Sequence, residues 1–276
     1  MHLSATLVLA TALTAAAHPS AGSHHAHLHR AVARSAKFIR YDQPAATSSA
    51  PEPSSSGDSS SSSSGEKKEF CSGSKKRATT FDIAYTGNTG SADDWGCNIM
   101  EIDCGTADLY DYTTEFSSTG DEYSCSAFNK IGPEGRIDGF WHSALDFSVK
   151  GDKVCLAFDE DSQGGVACGA GADGPGKTES GQLAGTWFEF DLGSEKNGGQ
   201  SGADVSTIVA DKSELQEVRD GIISMAIEAP GKGVCSKLSL KNPSETSDVY
   251  REGDEDKDGV GCKGYKKGMV KVTLGD

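Results

Sequence analysis

Short runs of alternating apolar and polar residues dominate the chain after Thr79, and clusters of Gly, Asn and Asp separate them. Alternation with a period of two is typical of β-strands, and runs of about five residues are too short for the helices of an α/β protein. Ser213 and Gln216 have the spacing of a helix capping box, which predicts one short helix before Gly221. The segments predicted as strands are 81–85, 97–102, 110–116, 144–149, 154–158, 186–191, 221–227 and 270–274. We therefore expect a mostly β domain with one core, of the β-sandwich type.

The N-terminal part of the chain has a different pattern. An uncharged run from Ala5 ends in Ala15, Ala16 and Ala17, which predicts a cleaved signal peptide at 1–17. Residues 18–70 are rich in His and Ser and have no hydrophobic period, so we expect a disordered leader. No later run approaches the roughly 20 apolar residues that span a bilayer. The sequence therefore predicts a secreted protein with a folded domain at 71–276 and no membrane partner.

All the cysteines lie after this leader, and an even number in an exported chain indicates disulfides. No C-x-x-C pair is present to favour a zinc site. Their pairing cannot be read from the sequence, although nearness favours Cys155 with Cys168 and Cys235 with Cys262. The eight residues are Cys71, Cys97, Cys104, Cys125, Cys155, Cys168, Cys235 and Cys262.

The negative charge of the chain belongs to the predicted domain. Of 26 Lys and Arg and 41 Asp and Glu, six and five precede residue 71, which leaves 20 against 36 and a net charge of −16 in the domain. Nucleic acids and anionic lipids are bound by clustered positive charge, so neither is an expected partner. The expected partners are a neutral polysaccharide, a cation or a basic protein surface, unless the acidity serves only solubility.

Three groups of segments in this domain form an ordered set of motifs: 85–90 with 96–99, 129–135 with 157–165, and 185–191. Together they resemble the secreted fungal allergens typified by allergen four of Aspergillus fumigatus, the Asp f four-like family. The resemblance extends from about Lys76 to the C-terminus, and the leader also fits the family. It implies secretion and immune recognition, and it implies no agreed catalytic activity.

A looser similarity connects the order of segments with the thaumatin-like proteins, which are β-sandwiches with an acidic cleft for β-1,3-glucan. In this alignment Glu189 matches the cleft glutamate and Asp204 matches the aspartate of a neighbouring strand. Asp159 stands where that family has an arginine, and this chain has half the usual cysteines. The similarity therefore supports a thaumatin-like sandwich more than it supports catalysis.

Alternation along 186–191 places Trp187, Glu189 and Asp191 on one face, with the intervening phenylalanines toward the core. An aromatic ring beside carboxylates is suited to stack on a sugar and to accept its hydroxyl groups, and Trp95 and Trp141 would extend that surface. The alternative is that Trp187 packs under a loop while the acids are solvated.

Two further chemistries remain open. Paired carboxylates are the minimum for glycoside hydrolysis, with Glu189 and Asp204 as the preferred pair among acids that also include Asp159, Glu160, Asp161 and Asp191. Asp254, Asp256, Asp258 and Gly259 open like a calcium loop, although the twelfth position holds Tyr265 instead of glutamate. No other cofactor is expected.

The function that we expect is binding by a secreted, monomeric, non-enzymatic protein of the cell wall or a host surface. Its target would be β-glucan, another wall polysaccharide or a host extracellular protein. The alternatives are a β-1,3-glucan hydrolase and an effector without a small ligand.

Overall fold

The computed structural model describes residues 66–73, 87–91 and 93–276. The predicted signal peptide, most of the predicted leader and the predicted strand at 81–85 lie outside the described residues.

The described residues form thirteen strands and two short α-helices. The strands are β1 (Ile99–Ile102), β2 (Tyr112–Ser118), β3 (Glu122–Asn129), β4 (Leu145–Lys150), β5 (Val154–Phe158), β6 (Ser162–Ala170), β7 (Thr186–Ser194), β8 (Gln200–Ser206), β9 (Met225–Ala229), β10 (Gly233–Leu238), β11 (Val249–Tyr250), β12 (Cys262–Tyr265) and β13 (Gly268–Leu274). The helices are α1 (Ile208–Lys212) and α2 (Gln216–Asp220).

These strands build two sheets. One has the order β1-β5-β2-β13-β9-β10, and the other has the order β11-β8-β7-β6-β3-β4, with β12 paired to β8. Neighbouring strands are antiparallel except for β13 with β2 and β11 with β8. The expected mostly β, disulfide-stabilised sandwich is confirmed.

The two sheets face each other across a core of aromatic and aliphatic side chains. Phe188 of β7 lies 5.9 Å from Phe116 of β2, centroid to centroid, and Phe190 lies 4.7 Å from Phe158 of β5. Phe116 also contacts Phe147 of β4, at 5.1 Å. All five rings are buried, so apolar burial between the sheets supplies the main stabilisation of the sandwich.

A second apolar layer covers the outer face of the seven-stranded sheet. Trp187 packs there against Phe128 of β3 at 4.8 Å and near Phe140 of a 3₁₀ turn at 6.2 Å. Ile208 of α1 and Tyr250 of β11 belong to the same cluster. Strand β7 is consequently buried at every position.

The helices only partly follow the sequence pattern. Helix α2 ends at Asp220 before Gly221, as predicted, but the Oγ of Ser213 accepts from the backbone N–H of Leu215, at 3.2 Å, rather than forming the full capping box. Helix α1, which follows β8 closely, was not predicted from the sequence. No helix in the described part of the chain is long and apolar enough to cross a bilayer.

The glycine-rich strand β6 was also missed, because its glycines were taken as turn signals. They allow close contact instead. A Cβ on Gly164 would lie 2.0 Å from the backbone O of Phe128, and one on Gly165 would lie 2.6 Å from the Phe128 ring. Glycine in this strand therefore marks close approach between β3 and β6.

The disulfides correct one of the two pairings favoured by nearness. Cys235 bonds Cys262 as predicted, but the predicted bond between Cys155 and Cys168 is wrong. Cys155 lies on β5 of one sheet and Cys168 on β6 of the other. The four bonds are Cys71–Cys97, Cys104–Cys155, Cys125–Cys168 and Cys235–Cys262.

Ordered contacts begin before the predicted boundary at Cys71. The backbone N–H of Lys68 donates to the hydroxyl of Tyr110 at 2.8 Å, and the Phe70 ring stands edge-on to the same ring at 5.7 Å. The Cys71–Cys97 bond follows at once. The last residues of the predicted leader therefore pack on the domain.

The core between the sheets yields a stability prediction. Phe188→Ala removes a fully buried ring, and we expect it to lower the free energy of unfolding by about 3–5 kcal/mol in urea denaturation. Val234→Ala is the control, because Val234 is 59% exposed and should change stability by less than about 0.5 kcal/mol. Equal losses in the two variants would contradict this account of the core.

Candidate functional site

Two carboxyl groups face each other across β7 and β8. Glu189 is the direct cross-strand partner of Asp204. Each of the two residues is only 1% exposed, and their carboxyl groups share a hydrogen bond. Burial raises the pKa of Glu189 well above its usual range, and the neighbouring Asp204 raises it further. Burial also raises the pKa of Asp204, to about 7. The pair therefore holds a shared proton in acidic solution.

Other ionisable side chains surround this pair. The Nζ of Lys130 donates to Gln163 Oε1 at 3.4 Å, and burial lowers the pKa of Lys130 to about 8, although Asp191 and Glu189 oppose that shift. Burial raises the pKa of Asp191 to about 6. Tyr250 and Tyr265 also have pKa values raised by burial and then by nearby carboxylates. The result is a buried polar cluster with one cation among three acids.

This geometry corrects the expected catalytic cleft. Glycosidases hold their carboxyl groups roughly 5–5.5 Å apart in retaining enzymes and roughly 6.5–9.5 Å apart in inverting enzymes, so that a sugar or water fits between them. Glu189 and Asp204 are in hydrogen-bond contact and are shielded from solvent. The pair therefore does not have the arrangement that glycoside hydrolysis requires.

The predicted aromatic face is also corrected. Trp187, Glu189 and Asp191 do point to the same side of β7, but each is at most 2% exposed. The indole N–H of Trp187 donates to the backbone O of Ala184 at 3.2 Å. Alternation correctly predicted that these three side chains share one face of β7. A covering layer of α1, β11 and a 3₁₀ turn shields that face from solvent.

Trp95 and Trp141 are both half-buried, and Trp141 packs against the second apolar layer that contains Trp187. The indole N–H of Trp95 donates to the backbone O of Ile131 at 2.8 Å, and its ring stands edge-on to His142 at 5.8 Å. The indole N–H of Trp141 donates to the backbone O of Ser180 at 3.0 Å. These rings fasten loops and do not extend a surface on β7.

The remaining acids of the predicted set hold turns. Asp159 accepts from Asn88 Nδ2 at 2.6 Å and from the backbone N–H of Glu160 at 2.9 Å. Asp161, whose φ is 65°, accepts from the backbone N–H of Glu195 at 3.2 Å. These carboxylates have backbone and amide partners that explain their positions.

The predicted calcium loop does not assemble a ligand set. Asp254 pairs with Lys257 at 2.6 Å and accepts from the backbone N–H of Arg251 at 3.2 Å, while Asp256 and Asp258 are exposed. Across the described residues, no three His, Cys, Asp or Glu side chains are grouped to hold a metal ion. The loop is closed by an ion pair and backbone turns instead.

An open groove lies on the outer face of the same sheet, beyond the apolar cover. Its volume is about 570 Å³, and its floor is formed by β3 and β4. Ser124 is the cross-strand partner of Ser148, with 3.2 Å between their hydroxyl oxygens, and Ser126 is the partner of Asp146. The floor of the groove is therefore a ladder of polar side chains.

Asp146 is the best-positioned acid of this groove. Its Oδ1 accepts from Ser126 Oγ at 2.6 Å and from Ser143 Oγ at 2.5 Å. Within the described residues no donor contacts its Oδ2, and the side chain is exposed. Two hydroxyl groups therefore fix one carboxylate oxygen of a residue that lines the groove.

A glycine-rich segment, 172–177, forms the opposite wall and contributes the exposed charges of Asp173 and Lys177. This site was not predicted from the sequence. The available signal was the alternation of polar residues in both floor strands, Ser124 with Ser126 and Asp146 with Ser148. That pattern describes an outer face that no second layer covers.

Comparison with known proteins identifies the family. The profile that defines the Allergen Asp f 4-like domain matches residues 97–274, which is more than half of the chain. The chain belongs to the Allergen Asp f 4-like family. The resemblance drawn from the sequence motifs is thereby confirmed. Disulfides together with this membership indicate an extracellular, allergen-like protein.

Allergen Asp f 4 from Aspergillus fumigatus is 36% identical to this chain over 201 residues, which cover 71% of this chain and 60% of the relative. The match thus spans less than two thirds of the relative's length. Among solved structures, the crystal structure of IP-1A from Alcaligenes faecalis covers 62% of this chain and 96% of its own, at 8% identity and a TM-score of 0.22. A likeness at that level supports no argument about function.

The buried carboxyl pair yields a prediction about pH. Raised pKa values in the folded state stabilise the fold below the unfolded carboxyl pKa of about 4, and this contribution is lost as the pH rises toward 7. We therefore expect the melting temperature to fall between roughly pH 4 and pH 7. The lowered pKa of Lys130 makes stability vary with pH only above about pH 8, outside this window.

Asp204→Asn removes the ionisable partner and should flatten that decline, which calorimetry at a series of pH values will measure. Asp108→Asn changes an exposed carboxylate and should leave the slope unchanged. The same slope in Asp204→Asn as in the unaltered protein would contradict a role for the pair.

Proposed function

We propose that this Asp f 4-like protein is a secreted, monomeric polysaccharide-binding protein of the cell wall or a host surface, and that the groove over β3 and β4 is its binding site. The observation that carries the proposal is the orientation of Asp146 in an open groove by Ser126 and Ser143. Pre-positioned acceptors reduce the entropy lost on binding a ligand.

The chemistry of the groove fits a polyhydroxylated ligand. Serine hydroxyl groups both donate and accept, so Ser124 and Ser148 are matched to the hydroxyl groups of a sugar. The volume of about 570 Å³ falls in the range of roughly 300–1,000 Å³ for ligand sites.

Charge and covalent structure support an extracellular target. A domain with 36 acidic and 20 basic residues repels nucleic acids and anionic lipids. One of its disulfides, Cys125–Cys168, joins the floor strand β3 to the neighbouring β6. Such bonds persist in the oxidising environment outside a cell.

The hydrolase alternative has less support. Its best pair, Glu189 and Asp204, is buried and in mutual contact. In the groove, Asp146 and Asp173 are two exposed carboxylates, whereas a general acid of a glycosidase lies in an apolar pocket. Binding without cleavage is therefore the better-supported activity.

Retention on insoluble polysaccharide tests the proposal. The full chain should be pulled down by at least one member of a panel of β-1,3-glucan, chitin, deacetylated chitin and cellulose, and Asp146→Ala should weaken that retention by roughly tenfold, because it removes both the exposed acceptor and the serine partner.

The matched control is Asp108→Ala, which removes an exposed carboxylate from a 3₁₀ turn beside the other sheet. It should bind like the unaltered protein. Reducing ends measured in the same supernatants should stay at background. Failure of every polysaccharide to retain the protein, or equal loss in both variants, would overturn the proposal.

A further inference from the structure

The charged residues of the groove specify the class of polysaccharide, an inference that rests on the proposed function. The groove lining contains the carboxylates of Asp146 and Asp173 and a single cation, Lys177. The surrounding domain adds a net charge of −16, from 20 basic and 36 acidic residues. A neutral ligand would gain no electrostatic attraction from that charge, whereas a cationic ligand would be attracted to it from a distance.

Asp146 and Asp173 differ from the acids of the described structure that form an ion pair with a lysine or arginine. Glu122, Asp111 and Asp211 each form an ion pair, with Lys150, Lys267 and Arg251 respectively. Within the described residues, Asp146 is hydrogen-bonded only to hydroxyl groups, and Asp173 has neither an ion pair nor a side-chain hydrogen bond. Among the residues that the structure describes, no ion pair therefore neutralises the negative charge of the groove.

The groove also lacks an aromatic platform for a neutral sugar. Phe147 is the one aromatic residue of the lining, and it is 8% exposed because its ring packs on Phe116 in the core. Without stacking, a neutral glucan would depend on hydrogen bonds between uncharged groups, which contribute little in water. A hydrogen bond from an ammonium to a carboxylate is roughly twice as strong.

We propose that the groove binds a glucosamine polymer, deacetylated chitin, through ammonium groups held by Asp146 and Asp173. The free Oδ2 of Asp146 accepts from the 2-ammonium group of one sugar. The hydroxyl groups of Ser124 and Ser148 contact the neighbouring sugar hydroxyls. N-acetylation removes the charge of the sugar and replaces the ammonium with a bulkier amide.

Calorimetric titration of the full chain with soluble oligosaccharides separates the possible ligands. The glucosamine hexamer should bind at least roughly tenfold more tightly than the N-acetylglucosamine hexamer or a β-1,3-glucan hexamer. Its affinity should fall as salt rises from roughly 50 mM to roughly 500 mM, since salt screens exposed charges. The neutral sugars should show no such dependence.

Two double variants assign the effect to the groove. Asp146→Asn with Asp173→Asn removes two charges while the amide oxygen retains an acceptor for the serines, and it should lower affinity for the glucosamine hexamer by roughly tenfold. Glu101→Gln with Asp108→Asn removes the same charge from exposed positions beside the other sheet, and affinity should stay within about twofold. Equal melting temperatures will show that the variants fold.

Three contrary results would each overturn a different part of this account. Tight, salt-independent binding of the neutral hexamers would overturn the amino-sugar inference and leave the proposed polysaccharide function intact. Equal losses in the two double variants would assign binding to the overall charge and overturn the role of the groove. No binding of any oligosaccharide, soluble or insoluble, would overturn both.

Discussion

Burial of β7 on both of its faces is the constraint from which most of this structure follows. Phe188 and Phe190 enter the core between the sheets, while Trp187 enters the second layer under α1 and β11. Any ionisable group on that strand is therefore removed from water at a cost that must be offset. Glu189 meets this requirement by sharing a hydrogen bond with Asp204, and Lys130 supplies a neighbouring positive charge.

The same cover decides where a ligand can reach the seven-stranded sheet. The second apolar layer lies over the β7 side of the sheet, whereas Ser124, Ser126 and Asp146 occupy its opposite end, where the groove is open. A single outer face is thus apolar and closed in one part and polar and open in another. The proposed binding site therefore lies on the serine-rich strands β3 and β4, and not on β7 with its tryptophan and acids.

Much of the architecture could be predicted from period-two alternation and the Cys content, but particular elements could not. Strand β6 was not predicted, because the glycines that permit its close contact with Phe128 are also typical of turns. The Cys155 pairing failed because sequence nearness does not show that β5 and β6 enter different sheets. The prediction of a binding face on β7 was wrong for a related reason. Alternation gave the correct side for Trp187 and Glu189, but only tertiary packing determines which side is covered.

Environment, rather than residue type, separates the roles of the acids in this protein. Asp204 and Asp146 both lie on strands of the same sheet and both accept side-chain hydrogen bonds. Burial raises the pKa of Asp204 to about 7, so that its charge is suppressed in acid. Asp146 is exposed, and two serine hydroxyl groups donate to one of its oxygens. A carboxylate that is fixed and open to solvent is the one suited to attract a cationic ligand, whereas the buried pair is suited to couple stability to pH.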